Sequence, residues 1–359
     1  MNFHSDKISL NDSLETVNDW FYDQGWTDGL PIIPPIPERV ERLLAWTDRD
    51  PQDELGPMPP KYGIATIEKL AINAVMAGCL PEYFPVVIAA VEAMLESPFN
   101  LYAVQSTTHP CAPLLILNGP IARELGINAR YNAFGPGWRP NATIGRAIRL
   151  ILLNVGGGTP GVLDRATQGQ PSKYSYCLAE NEAENPWGPL HVERGFAVET
   201  STVTMCGAEG PHNINDHIST AAPGILTTIA STMAGMGSNN AYAFGEPILA
   251  LGPEHATILA RDGISKDDIR AFVFVHARVP RETWEKGGMI GMGFAEDLFA
   301  GEAGVPPLRK PEHLMIIVVG GPGRHSCWMP TFGAMTHSVT RALTLKDGAP
   351  AKSIQEFRR

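Results

Sequence analysis

The chain is short of charge, short of cysteine and has no long apolar run, and each shortage removes a class of protein. Charged residues make up 18% of the sequence and the formal net charge is −10. A surface that replaces the counterions around phosphate is basic, so nucleic acid is excluded as a general partner. The longest apolar stretches, PVVIAAVEAML and LMIIVVGG, are about half or less of the roughly 20 residues that span a bilayer, which excludes a membrane partner of the spanning kind. The opening MNFHSDKISLNDSLETVNDW has no basic segment followed by an apolar one, so it does not read as a secretory signal and a cytoplasmic location is expected. Five scattered cysteines, an odd number, do not make a disulfide framework. GGGTPG lacks the Lys-Ser/Thr of a phosphate loop and VVGGPGRHS departs from G-x-G-x-x-G, so neither ATP nor NAD is expected.

What the chain does have is a 44% hydrophobic content, enough for a sizeable core, punctuated by 36 Gly and 31 Pro. Such punctuation implies shaped loops on a rigid scaffold, where sites are usually built. Residues 12–24 read as a first helix, capped by Asp12 or Ser13, with Leu14, Val17 and Phe21 at helical spacing. Pro37 opens the next helix, and residues 47–63 read as an exposed loop. TIEKLAINAVMAGC and PEYFPVVIAAVEAMLES are apolar over most of their circumference and predict two buried helices joined by a turn at Gly78 to Pro81. They face either the chain's own core or a second subunit, so a homo-oligomer stays open. LYAVQST has strand composition and PLLILNG is a short apolar run of the buried-strand type. Further helices are expected at 141–155, 219–235 and 265–276, with a long irregular region between 156 and 196.

PLLILNGPIARELGI (113–127) is echoed by PILALGPEHATILARDGI (247–264), and more faintly by LMIIVVGGPGRHS (314–326), where no helical pattern follows. Recurring strand-turn-helix units suggest an α/β protein with pseudo-symmetric repeats, an N-terminal helical segment at 1–100 packing on an α/β core at 101–359 that carries the site loops.

Three cysteines sit in short motifs that also hold histidine: His109-Pro-Cys111, Cys206 in TMCGAEGPHNINDH, and His325-Ser-Cys327. They are separated by 95 and 121 residues, which excludes paired C-x-x-C metal or redox motifs. Three lone thiolates from distant loops suit an iron–sulfur cluster with one open iron, and mixed Cys and His ligands suit a single transition metal with Glu209 as base. Either gives a Lewis acid for hydration or elimination, the chemistry of a lyase. Inert packing of all three, and one activated thiolate such as Cys111 beside His109, remain open alternatives.

In GPHNINDHIST, His212 and His217 are candidate acid/base groups, Asp216 orients His217, and Asn213 adds a polar contact for substrate; helix capping by Asn215, Asp216 or Ser219 is the plainer role. In FGPGWRPNATIGR, Arg139 precedes Asn141, a candidate N-cap, so a substrate carboxylate would meet a guanidinium and a helix N-terminus, with Trp138 as a wall. Asp28, Glu180, Glu182 and Glu184 read as solvated surface charge.

GWTDGLPIIPPIP (25–37), EKLAINAVMAGC, HPCAPLLILNGPIARELGI and GAEGPHNINDH together resemble a family of bacterial proteins of similar length, the UGSC family of (seleno)proteins, over residues 15 to 335. That resemblance implies a redox-active selenocysteine or cysteine in a Sec-Gly-Ser-Cys motif. No Cys-Gly-Ser-Cys occurs here; Cys206-Gly207 and Ser326-Cys327 are the nearest strings, so the motif is not carried over and the resemblance implies no reaction.

The residues therefore point to a metal- or iron–sulfur-dependent lyase on a small carboxylate-bearing molecule, with Cys111, Cys206 and Cys327 as metal ligands. A metal-free hydrolase or thiol enzyme using one cysteine, and a non-catalytic small-molecule binder, are the alternatives.

Overall fold

A computed structural model gives the fold and describes residues 3–289, 303–333 and 335–359. The chain runs through α1 (Leu14–Asp23), α2 (Pro37–Leu44), β1 (Glu54–Met58), β2 (Gly63–Thr66), α3 (Ile67–Ala77), α4 (Phe84–Leu95) and α5 (Leu101–Gln105). The first half of the α/β core follows as β3 (Ala112–Asn118), α6 (Pro120–Glu124), α7 (Arg139–Asn154), β4 (Cys177–Ala179), α8 (Leu190–Glu193) and β5 (Thr202–Ala208). The second half holds β6 (His212–Asn215), α9 (Ala222–Met233), α10 (Asn239–Ala243), β7 (Ile248–Leu251), α11 (Pro253–Arg261), α12 (Lys266–His276), α13 (Arg281–Lys286), β8 (Met315–Val318), β9 (His325–Met329) and β10 (Val339–Ala342). The protein is α/β.

Alternation along the strands sorts the side chains into layers. In the first sheet, Leu115, Leu117, Val203 and Met205 face a helical layer built from α2, α3, α4 and α7. Leu114, Ile116, Leu178 and Cys206 face the other way, against Ile248, Ala250, Ile317 and Met329 of the second sheet. The second sheet's outer residues Leu249, Leu251, Ile316 and Val318 pack on α9, α11 and α12. The order is helices, sheet, sheet, helices. Segment 1–100 supplies most of the first layer, but α7 and the tail residues Leu343, Ile354 and Phe357 join the same core.

The sheets have strand orders β10-β5-β3-β4 and β6-β9-β7-β8. In each, the last two strands are parallel and the other neighbours antiparallel. After β5 the chain crosses to β6 and completes the second sheet; after β9 it crosses back to β10 and completes the first. The crossing points meet at an antiparallel bridge between Ala208 and Thr331. It is flanked by Glu209 N donating to Pro330 O and Phe332 N donating to Gly207 O. The echoed stretches at 113–127 and 247–264 fall on β3-α6 and β7-α11.

Several local expectations change. LYAVQST forms α5 rather than a strand, because Asn100, in left-handed backbone, accepts from Ala103 N and starts a helical turn. Residues 47–63 contain β1, paired with β2, with Met58 buried. Cys206 and Cys327 lie inside β5 and β9 rather than in loops, and HNIN is the edge strand β6. The helices at 66–97 bury their circumference in this chain's own core. Among the described residues no single helix is long and apolar enough to cross a membrane.

Candidate functional site

The antiparallel register of β3 and β5 pairs Ala112 with Ala208, so the loop entering β3 and the loop leaving β5 meet at one end of the first sheet. This brings together two of the sequence candidates that lie 100 residues apart. His109 Nε2 donates to Glu209 Oε1 at 2.8 Å. Phe332 stands edge-on to the imidazole, with ring centroids 5.5 Å apart. The buried Tyr176 hydroxyl donates to the backbone O of Glu209 at 2.9 Å and so fixes the residue carrying the carboxylate. With Nε2–H committed to Glu209, the neutral ring carries its lone pair on Nδ1, and that atom is buried without a protein partner. A carboxylate-oriented imidazole with a free nitrogen is the working part of a general base.

Next to Tyr176 is a narrow, partly open cleft of about 10 Å³, lined in part by Gln105, Cys111, Arg149, Lys173 and Tyr176, with His109 and Glu209 outside its lining. Arg149 and Lys173 both pair with the buried Asp164, at 3.3 and 2.9 Å. Lys173 Nζ also donates to Cys111 O at 3.4 Å. Two cations against one carboxylate leave a positive surplus in a mostly buried place, which an anion would offset. One buried polar atom without a partner, Gln105 Oε1, belongs to the cleft lining, and others lie nearby in the chain. Gln105 Oε1, Ser106 Oγ, His109 Nδ1 and Gln170 Nε2 are buried with no partner among the described residues. Unpaired buried groups are costly, and such an atom in a cleft wall is open to a polar ligand.

The fold does not bring the three cysteines to one place, because β-strand alternation separates them. Cys111 faces the helical layer, its thiol toward Val104 O at 3.7 Å, while Cys206 and Cys327 face the layer between the sheets. Among the described residues no three His, Cys, Asp or Glu side chains form a metal-holding group. Nor is any thiol activated: burial pushes Cys79, Cys111 and Cys327 up to about 12 and raises Cys177 and Cys206 also. A thiolate nucleophile needs the opposite environment.

No family model, curated protein or solved structure matches the chain. Function is therefore read from the site alone.

The other sequence candidates lie elsewhere. Arg139 is the first residue of α7 and spends its guanidinium on Gly78 O, through Nε at 3.3 Å and Nη2 at 3.1 Å, tying α7 to the end of α3. Asn141 is not the N-cap but the third helical residue; buried, it exchanges two hydrogen bonds with the Asn128 backbone. Trp138 occupies the cap position without a capping bond. Ten residues further on, the same helix carries Arg149, which pairs with Asp164. His212 is exposed on β6 opposite Trp328. Asp216 does not hold the His217 ring. Burial would raise its pKa, but bonds from Ser219, Thr228 Oγ1 and Ile218 N bring it down to about 2. His217 instead meets His325, and Asn213 Oδ1 accepts from His325 Nδ1.

Three expectations of solvated charge are corrected. Asp28 forms a two-bond pair with Arg146 at 2.8 Å and is 3% exposed. Glu180 is buried and accepts from Asn118, Asn185, Leu190 N and Val318 N, joining the ends of β3 and β8. Burial raises its pKa, against the nearby Lys266 and these donors. Glu182 accepts from Gly119 N and pairs with Arg123.

Arg149, Asp164, Lys173, Gln105 and Tyr176 were missed in the sequence. Arg149 had a signal: it is a lone cation in the apolar run of α7, where a charge needs a partner. The others became visible only when the loops came together.

Proposed function

We propose that the protein is an enzyme that binds a small carboxylate-bearing molecule in the cleft beside β3 and moves a proton with the His109–Glu209 pair. Arg149 and Lys173 hold the carboxylate, Gln105 and Gln170 supply polar contacts, and His109 Nδ1 takes the proton while Glu209 stabilises the imidazolium that forms. Removal of the proton on the carbon next to the carboxylate forms a C=C bond as the C–O bond at the neighbouring carbon breaks, the hydroxyl leaving as water with the proton returned by the His109 imidazolium; the reverse adds water across the double bond, so the reaction class is that of a lyase. The His109–Glu209 pair with its unpartnered Nδ1, two residues from the Cys111 carbonyl that Lys173 reaches, is the observation that supports this reading. A cytoplasmic location suits five unpaired thiols.

The test is proton NMR in D₂O with a panel of small hydroxy-, keto- and unsaturated carboxylates, reading deuterium uptake and olefin formation. The expected result is exchange with at least one of them, falling about 10²- to 10⁴-fold in His109→Ala and Glu209→Gln. Exchange that survives in both variants, or its absence across the panel while carboxylates still raise the melting temperature, removes the catalytic reading and leaves a binding protein.

A further inference from the structure

At the far end of β6 and β9 from the crossover, two histidines face each other. The register sets Asn213 opposite Cys327 and Asn215 opposite His325, all on one face of the edge of the second sheet. The chain then turns at Asp216 and brings His217 back over that face. His217 Nε2 and His325 Nε2 are 3.1 Å apart, with ring planes at 74°. His325 Nδ1 lies 2.9 Å from Asn213 Oδ1, an acceptor, which keeps the proton on Nδ1 and leaves the Nε2 lone pair aimed at His217.

The backbone carrying His217 is held from several sides. Asp216 accepts from Ile218 N, Ser219 N and Thr228 Oγ1, and Arg324 Nη1 donates to His217 O and Ser219 O. Beneath them the buried His255 donates through Nε2 to Asp216 O and accepts from Ser326 through Nδ1. An exposed pair of rings on so fixed a frame is preorganised for a third atom between them.

We infer that His217 and His325 form a surface site for a divalent transition-metal cation, with Asn213 as the group that orients His325. Two imidazole nitrogens at ~2.0–2.1 Å from a tetrahedral ion lie ~3.3–3.4 Å apart, so the pair needs to open by only a few tenths of an ångström. Imidazole favours zinc, nickel and copper over magnesium or calcium. No third His, Cys, Asp or Glu joins the pair among the described residues, so the protein supplies two ligands and leaves the remaining positions open to water or an incoming ligand. The site is separate from the cleft, and no step of the proposed proton transfer uses it.

Calorimetric titration of the full chain with Zn²⁺, Ni²⁺ and Cu²⁺ tests this, with crystals soaked in Zn²⁺ to locate the ion by anomalous scattering. One ion per chain is expected, between the two Nε2 atoms. His217→Ala and His325→Ala should each weaken binding at least about tenfold, and Asn213→Ala about 10- to 100-fold, with unchanged melting temperature in the metal-free state. Should a histidine variant fold poorly, Asn213→Ala reads the same coupling. Binding unchanged in the His217→Ala/His325→Ala double variant, an ion found elsewhere, or no binding of any of the three metals overturns the inference and leaves the pair a hydrogen bond.

Discussion

The two sheets are paired alike, yet they place charge differently where the chain crosses over: Glu209 meets His109 beside the first, while Glu246 beside the second is taken up by His337, Ser338 N and Arg194. Counting outward from the Ala208–Thr331 bridge along the ladders, Glu209 corresponds to Phe332, His109 to Ala243 and Cys111 to Gly245. In the second sheet that corner is closed by backbone: a Cβ on Gly245 would stand 2.9 Å from Gly333 Cα. The same strand geometry thus yields a polar cleft on one side and a packed joint on the other. The pairing scheme provides the corner, and a handful of loop residues decide whether it holds a ligand. Where the two sheets do share a polar element it is structural, as with Glu180, whose carboxylate takes donors from both.

That contrast can be broken at graded cost. Glu180→Ala should have the largest effect on stability, about 3–5 kcal/mol in chemical denaturation, because it strands four donors between the sheets. If Glu180 behaved as surface charge, the loss would stay within about 0.5 kcal/mol. Arg149→Met should cost less, about 1.5–3 kcal/mol, since Lys173 still pairs with Asp164, and should abolish the rise in melting temperature given by carboxylates. An undiminished rise would move the anion site elsewhere.

Asp216 gives a pH signature confined to the second sheet. Its pKa is lower folded than unfolded, so its contribution is complete above the ordinary aspartate value and is lost as pH falls from about 4 toward about 2. Asp216→Asn should flatten the acid limb of the stability curve in that window; an unchanged limb would mean the carboxylate is not held by those donors. The smallest effect belongs to the thiols. Cys111→Ala should leave turnover within about twofold, and iodoacetamide at neutral pH should label the folded protein slowly, because burial keeps these thiols protonated. Rapid inactivation by alkylation at one site would restore the thiol-enzyme alternative.

Much of the scaffold was legible because its signals are local. Ser13 caps α1, Pro37 opens α2, Gly78 ends α3 in left-handed backbone, and the apolar runs at 113–119 and 314–319 hold strands. α5 was misread because β-rich composition competes with a cap that depends on the unusual conformation of Asn100. The site was only half legible. His109 and Glu209 stood out by residue type, but their pairing depends on a register between strands 90 residues apart. The three cysteines shared a motif pattern, and no pattern reports that a one-residue change of parity turns a side chain to the opposite face of a sheet. Glu180 looked solvated because a run of acidic residues is usually surface, and only tertiary structure shows which one turns inward.

The exchange of fourth strands has a consequence for synthesis. β5 is complete at residue 208, but the strand that covers its outer edge is not made until residues 339–342. At ordinary translation rates of about 5–20 residues per second, that edge stays open for on the order of ten seconds on the ribosome. For over a third of its synthesis the nascent chain would carry β5 with one edge unpaired, a state that invites pairing with neighbours and favours chaperone capture.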